Sequence, residues 1–139
     1  MLNSNKNIFP IHDSLLNKQE KEALIKQKAI SIWLTGLSGS GKSTIAKNLE
    51  KSLAKLGFIT KVLDGDNVRT GICNNLNFSA QDRIENIRRI SEVSKLFVDG
   101  GIITINSFIS PTIAIRRMAK EIIGPESFFE VFIDADLNT

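Results

Sequence analysis

The chain has 139 residues, of which 42% are hydrophobic and 24% are charged. This length and composition fit one folded domain and exclude a largely disordered chain. The formal net charge is only +3, so the charge balance does not predict a nucleic-acid partner. Cys73 is the only cysteine, which fits a reducing compartment. Since no apolar run approaches the length of a membrane span or a signal segment, we expect a cytoplasmic protein without a membrane partner.

The first 28 residues are more polar than the rest of the chain. Residues 1–17 are irregular and predict a mobile arm, and residues 18–28 predict a short charged helix. Residues 30–35 are apolar and predict a buried first strand. We therefore expect an arm and short helix over residues 1–28 and a folded P-loop domain over residues 29–139.

A phosphate-binding loop follows the first strand at once. Residues 36–43 fit the pattern G-x-x-x-x-G-K-S/T without a mismatch. The glycines let successive backbone N–H groups point at phosphate oxygens, and the helix that begins near Lys42 adds the positive end of its dipole. Lys42 should reach the β- and γ-phosphates, and Ser43 should place its hydroxyl on Mg²⁺. The predicted nucleotide-binding residues are Gly36, Leu37, Ser38, Gly39, Ser40, Gly41, Lys42, Ser43 and Thr44. The alternative, a plain flexible loop, does not explain Lys-Ser at this spacing.

An acidic pair follows the next strand. Residues 42–56 predict a helix that Gly57 ends. Its predicted apolar face carries Ile45, Leu49, Leu53 and Leu56. Residues 58–63 predict the second strand, and Asp64 and Asp66 come directly after it. Ligands bind at the carboxyl ends of strands in open α/β sheets, so we expect this pair one strand over from the phosphate-binding loop, either near Mg²⁺ or orienting an acceptor hydroxyl. A strand-end turn is the alternative, because Asp and Gly favour turns.

The remaining pattern alternates between helix and strand. A long helix is predicted over residues 79–99, where Ser79 and Asp82 resemble a capping box. Its predicted apolar side carries Ile84, Ile87, Val93, Leu96 and Phe97. The later elements are a strand over 101–107, a helix over 112–123 and a strand over 128–133. This alternation predicts an α/β fold of the P-loop NTPase type, with a mostly parallel sheet and helices on both faces.

The chain stops directly after the fourth predicted strand, at residues 134–139. Such a fold ordinarily continues into a further helix and strand, and P-loop kinases usually add a mobile basic lid that closes over the phosphates. We therefore expect a chain that is truncated at its C-terminal end and lacks this lid.

Arginines crowd the middle of the chain, and guanidinium groups bind phosphate or sulfate oxygens bidentately. They are Arg69, Arg83, Arg88, Arg89, Arg116 and Arg117. Arg83 and Asn86 are three residues apart and should share one helix face, whereas the adjacent Arg88 and Arg89 should not both point into one site. Phe78, just before the long helix, is a candidate to stack on a base, although a single phenylalanine more often belongs to a core.

At these residues the sequence resembles the adenylylsulfate kinases, which use ATP to phosphorylate the 3′-hydroxyl of adenosine 5′-phosphosulfate. The stretches that carry the resemblance are GLSGSGKST at 36–44, LDGDNVR at 63–69, LNFS at 76–79, DRIENIRRISEV at 82–93 and SFISP at 107–111. They occur in the family's order and spacing. The first stretch is shared with many kinases, but the others together are specific to this family.

The resemblance implies roles for individual residues. Residues 36–43 would hold the ATP phosphates and Mg²⁺, the latter through Ser43. Asp66 resembles the family's metal-linked or catalytic carboxylate, with Asp64 supporting it. The positions that match substrate contacts are Asp64, Asp66, Arg69, Phe78, Arg83, Asn86, Ile109 and Ser110. Phe78 would lie against the adenine ring and the arginines would face the anionic tail.

Lys42, Asp66 and Ser110 are the residues with an expected catalytic role. The family's serine at the position of Ser110 is associated with a phosphoserine intermediate, whereas direct in-line transfer needs no covalent step, and a serine beside a proline can simply line the pocket. The sequence leaves both readings of Ser110 open.

The chain also departs from the family pattern. Thr70 replaces the usual histidine, Asn77 a glycine, and Thr112-Ile113 a common Tyr-Arg. These changes bear on substrate affinity rather than on the reaction. The family is commonly dimeric, so the resemblance implies a homodimer, and it suggests a functional link to ATP sulfurylase. The alternatives are another small-molecule P-loop kinase and a non-catalytic nucleotide-binding fragment.

Overall fold

A computed structural model describes residues 7–37 and 39–134 of the chain. Within these residues the helices are α1 (Lys18–Ile25), α2 (Lys42–Lys55), α3 (Gly65–Arg69), α4 (Ala80–Asp99) and α5 (Ile113–Ile123). The strands are β1 (Ser31–Thr35), β2 (Thr60–Asp64), β3 (Ile103–Ser107) and β4 (Phe128–Phe132). Short 3-10 turns lie at His12–Ser14 and Pro125–Ser127.

The four strands form one parallel sheet in the order β2-β3-β1-β4. One face packs against α2 through Leu34, Ala46 and Ile105. The other face packs against α4 and α5 around Trp33 and Ile90. The predicted α/β fold, with helices on both faces of a parallel sheet, is confirmed. Because all strands run the same way, their carboxyl ends meet at one edge of the sheet.

The strand order corrects one sequence-based expectation. The acidic pair was expected one strand over from the phosphate-binding loop, but β3 lies between β1 and β2. The register pairs Leu34 of β1 with Ser107 of β3, and Ser107 in turn with Asp64 of β2. The acidic pair is therefore two strands from the loop. Sequence order alone does not reveal this, because β3 is inserted between two strands that precede it in the chain.

Two strands begin later than predicted for the same physical reason. Gly57 and Gly101 both have φ near +89°, and each ends a helix in a Schellman motif. The N–H of Phe58 donates to the Leu53 carbonyl, and the N–H of Ile102 donates to the Phe97 carbonyl, both at 2.9 Å. The glycine and its successor therefore belong to the helix cap, and β2 and β3 begin only afterwards.

The helix starts depend on polar caps. Ser79 accepts a hydrogen bond from the Asp82 N–H, but the Asp82 carboxylate accepts from the Asn77 N–H rather than completing a capping box. A full capping box does occur at α1, between Asn17 and Glu20, and is not among the sequence-based predictions. This helix ends at Ile25, three residues earlier than predicted.

The predicted apolar faces of α2 and α4 are only partly correct. On α2, Leu49 and Leu53 pack against the core cluster between this helix and the sheet, but Leu56 on α2 and Leu96 on α4 are each 74% exposed. On α4 the buried residues include Ser91 and Ser94. The predicted side was chosen from apolar residues alone, so it does not coincide with the buried side. Among the helices of residues 7–37 and 39–134, none is both long and apolar enough to span a bilayer.

Candidate active site

A cleft of about 360 Å³ opens at the carboxyl edge of the sheet. The sequence-predicted residues that line it are Gly39, Lys42, Ser43, Asp64, Asp66, Arg69, Phe78, Arg83, Asn86 and Ile109. The structure thus brings the phosphate-binding loop, the acidic pair and the candidate acceptor residues into one space. The lining also includes Ile87, Ser107, Phe108, Pro111 and Ile115. Of these, Ile87 and Ile115 carry only the helical pattern of core residues, which gives no functional signal.

The phosphate-binding loop requires glycine at its first position. Gly36 has φ +143°, and a β-carbon there would lie 2.7 Å from the Ile133 carbonyl oxygen. The end of β4 therefore packs directly against the start of the loop. At the other end, Gly41 precedes α2 with φ +96°, and α2 begins at Lys42 as predicted.

Lys42 is 7% exposed, and its ammonium donates to the carbonyl oxygens of Gly36 at 2.8 Å and Leu37 at 2.9 Å. Burial lowers the pKa of this lysine. The ammonium therefore lies folded against the loop itself. Phosphate oxygens are stronger acceptors than neutral carbonyls, so a bound phosphate can draw the ammonium towards itself.

The acidic pair splits between two elements. Asp64 is the last residue of β2, whereas Asp66 lies in the first turn of α3. The sequence predicts the end of the strand here but not α3, the short helix that begins at Gly65. The Ser43 hydroxyl donates to Asp64 Oδ1 at 3.4 Å. Since α2 packs across β3 and β2, its first turn reaches the acidic pair despite the intervening strand.

Ser43, Asp64 and Asp66 together present hydroxyl and carboxylate oxygens to the cleft. These are the ligand types that Mg²⁺ prefers, and this ion usually takes one or two carboxylates while keeping several waters. The residues present therefore fit a magnesium site.

Phe78 is a surface residue rather than a core residue, since it is 68% exposed. The Arg69 guanidinium lies 4.3 Å from the centroid of its ring, in cation–π geometry. Arg69 Nη1 also donates to the Leu76 and Asn77 carbonyls at 3.4 and 3.3 Å. Arg83 Nε donates to the Phe78 carbonyl at 3.1 Å. The two arginines therefore present Phe78 to the cleft with one ring face already covered.

Asn86 supplies an unpaired acceptor to the same region. It is 6% exposed, and its Oδ1 has no hydrogen-bond partner among residues 7–37 and 39–134. It lines the cleft together with Arg83, as expected from their spacing on α4. A buried amide oxygen without a partner is costly, and a ligand N–H in the cleft would satisfy it.

Ser110 does not join the other predicted residues. It is 3% exposed and is absent from the cleft lining. Its hydroxyl accepts a hydrogen bond from Trp33 Nε1 at 3.2 Å, and its carbonyl accepts from Arg116 Nη1 at 2.7 Å. Trp33 in turn packs between Phe108 and Phe128, with ring centroids 5.9 and 5.7 Å apart. The hydroxyl therefore faces the core, while neighbouring Ile109, 56% exposed, faces the cleft.

The remaining predicted residues lie outside the lining. Gly36, Leu37, Ser40, Gly41 and Thr44 belong to the phosphate-binding loop or the first turn of α2 but are not among the residues that line the cleft. Ser38 lies outside the described residues.

Neither Arg88 nor Arg89 reaches the cleft. Both arginines instead bind Glu85, because residues three and four positions along a helix each lie beside it. Arg116 lies 3.5 Å from the Glu130 carboxylate.

The chain is similar in sequence to known proteins. The family model for adenylylsulphate kinase matches residues 28–139. The adenylyl-sulfate kinase of Bacteroides fragilis strain YCH46 is 60% identical over 136 residues, which are 98% of this chain and 67% of that protein. That of Phocaeicola vulgatus is 58% identical over 131 residues, 94% of this chain and 64% of that protein. The chain thus spans about two thirds of the length of these curated relatives.

A solved structure is similar in both sequence and fold. The APS kinase of Mycobacterium tuberculosis, in complex with AMPPNP and APS, gives a TM-score of 0.75 at 42% identity. The match covers 80% of this chain and 65% of that one. Because the family model covers most of the chain and the relatives match nearly all of it, this chain belongs to the adenylylsulphate kinase family.

Proposed function

We propose that this chain carries the donor and acceptor sites of a kinase that transfers the γ-phosphoryl group of ATP to the 3′-hydroxyl of adenosine 5′-phosphosulfate. The observation that carries the proposal is the shared cleft, which is lined both by Lys42 and Ser43 and by Phe78, whose ring is covered on one face by Arg69. The M. tuberculosis relative, which holds AMPPNP and APS together, supports this pairing of ligands.

On the donor side, the backbone of residues 36–43 cradles the phosphates and Lys42 neutralises their charge. The Lys42 ammonium leaves the Gly36 and Leu37 carbonyls, which it now contacts, and binds phosphate oxygens instead. Ser43, Asp64 and Asp66 would hold Mg²⁺, which supplies charge neutralisation at the β- and γ-phosphates when bound.

On the acceptor side, the adenine ring stacks on the face of Phe78 that Arg69 leaves uncovered. Asn86 Oδ1 accepts a hydrogen bond from the base. Within the described part of the chain, Arg83 hydrogen-bonds the backbone through its Nε, so its terminal amines can bind the anionic phosphosulfate.

Asp66 acts at the acceptor hydroxyl. It is exposed and lines the cleft, so its carboxylate can accept the proton of the 3′-hydroxyl as that oxygen bonds to the γ-phosphorus. The bond from the γ-phosphorus to the β,γ-bridging oxygen breaks in the same in-line displacement, and ADP leaves.

Ser110 serves as a positioning residue in this mechanism, and no phosphoserine intermediate forms on it. Its hydroxyl is buried and already accepts the Trp33 indole N–H. This bond fixes the segment from Phe108 to Pro111, which contributes Phe108, Ile109 and Pro111 to the cleft. Transfer between two substrates in one cleft needs no covalent relay.

An acceptor panel tests the proposed function. The 139-residue chain is incubated with ATP, Mg²⁺ and, in turn, adenosine 5′-phosphosulfate, AMP, gluconate and shikimate, and ADP release is followed. We expect release only with adenosine 5′-phosphosulfate, and its loss in Asp66→Ala. A preference for another acceptor, or undiminished release by the variant, would overturn the mechanism. Binding of both nucleotides without transfer would favour the non-catalytic fragment. The homodimer, the link to ATP sulfurylase and the cytoplasmic location stay predictions.

A further inference from the structure

The segment that carries Phe78 is a loop with little burial of its own. We call residues 70–79, which join α3 to α4, the acceptor loop. Cys73 is fully buried, and its N–H donates to the Val68 carbonyl at 2.9 Å. Apart from Cys73 and the half-buried Leu76, the residues of the loop are exposed. The position of Phe78 therefore depends on hydrogen bonds from outside the loop.

Arginines from both flanking helices supply these bonds. Arg69 and Arg83 contact the loop carbonyls near Phe78 and also line the cleft. Arg89 contacts the loop farther back, where its Nη1 donates to the Ile72 carbonyl and to Asn75 Oδ1, both at 2.8 Å. Arg89 is not a lining residue. Its contacts therefore need not be given up when a ligand recruits the other two arginines.

Glu85 aligns Arg89 for this role. Arg89 Nε donates to Glu85 Oε2 at 2.9 Å, so the guanidinium holds the carboxylate with its Nε and the loop with its Nη1. Arg88 donates to the same carboxylate through Nε at 2.7 Å and Nη2 at 2.8 Å. These bonds from Arg88 and Arg89 lower the pKa of Glu85 from 4.5 to about 2, so the carboxylate stays charged well into the acidic range. A planar guanidinium has several donors in a fixed fork, so Arg89 can hydrogen-bond the Glu85 carboxylate and the acceptor loop at the same time.

We propose that Arg89, aligned by Glu85, is a positioning residue for the acceptor site, which holds the acceptor loop so that Phe78 meets the adenine of adenosine 5′-phosphosulfate. Arg89 touches no substrate, and the proposal rests on the function proposed above. Its effect should appear in the affinity for the acceptor, because the donor site is formed by a different part of the chain.

Arg88 offers a matched control, since it binds the same carboxylate but has no contact with the acceptor loop among the described residues. We compare Arg89→Met with Arg88→Met in the full 139-residue chain. Loss of hydrogen bonds from a charged group predicts a rise on the order of tenfold in KM and Kd for adenosine 5′-phosphosulfate in Arg89→Met. Arg88→Met should change neither constant by more than about twofold, and both variants should keep the wild-type KM for ATP.

Hydrogen exchange of the backbone amides of residues 72–78 provides a readout that does not need activity. Exchange should quicken in Arg89→Met and stay unchanged in Arg88→Met, with both variants melting within a few degrees of each other. Equal effects of the two substitutions would overturn the proposal, because they would show a general loss of helix stability. A fall in kcat with unchanged KM would also overturn it. If the wild-type chain does not bind adenosine 5′-phosphosulfate, the proposed function fails, and the exchange comparison still decides whether Arg89 holds the loop.

Discussion

At the scale of single residues, contact with the cleft separates side chains that can bind a substrate from side chains that can only hold other residues in place. Lys42 is buried but lines the cleft, with its ammonium held by two loop carbonyls, whereas the Ser110 hydroxyl is buried against Trp33 and Ser110 does not line the cleft. The sequence contains no signal for this difference, because Trp33 and Ser110 are 77 residues apart in the chain. The sequence likewise does not predict that Glu85 and Arg89 support a loop, since their spacing indicates only an ordinary helical ion pair.

Replacing Ser110 by alanine should therefore affect stability more than chemistry. The variant leaves the Trp33 N–H buried without an acceptor, which costs roughly 1–3 kcal/mol of unfolding free energy. We expect a lower melting temperature and a kcat within a few-fold of wild type. Ser110→Thr keeps a hydroxyl and serves as the control. Abolished turnover in an Ser110→Ala protein of unchanged stability would instead favour a covalent role.

The charge on Glu85 predicts how stability varies with pH. Hydrogen bonds from Arg88 and then Arg89 lower its pKa in the folded chain from 4.5 to about 2. A lowered folded pKa contributes stability above the unfolded value, and that contribution is lost as the pH falls through the folded value. The difference in unfolding free energy between wild type and Glu85→Gln should be constant above about pH 5 and shrink towards pH 2. A difference that grows on acidification would contradict this account.

At the scale of elements, glycines set where strands begin. Gly57 and Gly101 end α2 and α4 in the same conformation. Because each Schellman motif includes the residue after its glycine, the next strand begins two residues later than predicted. The sequence correctly identified both glycines as helix stops, and it also identified the fold class and the phosphate-binding loop. It could not show that the residue after each glycine belongs to the helix cap. It also could not show that a short helix begins between Asp64 and Asp66, because Asp-Gly equally favours turns.

The two cap glycines form a matched pair for mutation. Both have φ near +89°, but a β-carbon on Gly57 would meet nothing within 4 Å, whereas one on Gly101 would lie 2.8 Å from Ile25 Cδ1. Gly57→Ala should cost about 1–2 kcal/mol for the left-handed backbone alone. Gly101→Ala should cost roughly 0.5–1.5 kcal/mol more, because the end of the Ile25 side chain must turn away from the new methyl group. Urea denaturation measures both, and equal costs would contradict the packing of α1 against Gly101.

At the scale of the whole molecule, the described sheet ends at β4, which pairs with β1 along one side. Phe129, Val131 and Phe132 on this strand are between 43% and 65% exposed. The strand order, which sequence periodicity could not provide, places this apolar strand at an edge. Long-range pairing of strands is set by packing across the sheet rather than by local pattern, so the topology had to come from the structure.

An exposed apolar edge strand predicts marginal stability and self-association. We expect the 139-residue chain to melt at low temperature and to associate as its concentration rises, and Phe129→Lys to reduce the association. Analytical ultracentrifugation and thermal melts over a range of concentrations measure both. A sharp melt at high temperature, independent of concentration, would contradict the prediction.

In the proposed reaction, one cleft joins the ATP phosphates to the 3′-hydroxyl of adenosine 5′-phosphosulfate. Phosphorus NMR of the products formed from these two substrates tests it most directly, since it identifies the position of the new phosphate. We expect ADP together with an adenylylsulfate that carries phosphate on its 3′-oxygen. Release of inorganic phosphate with unmodified adenylylsulfate, or phosphate on any other oxygen, would contradict it.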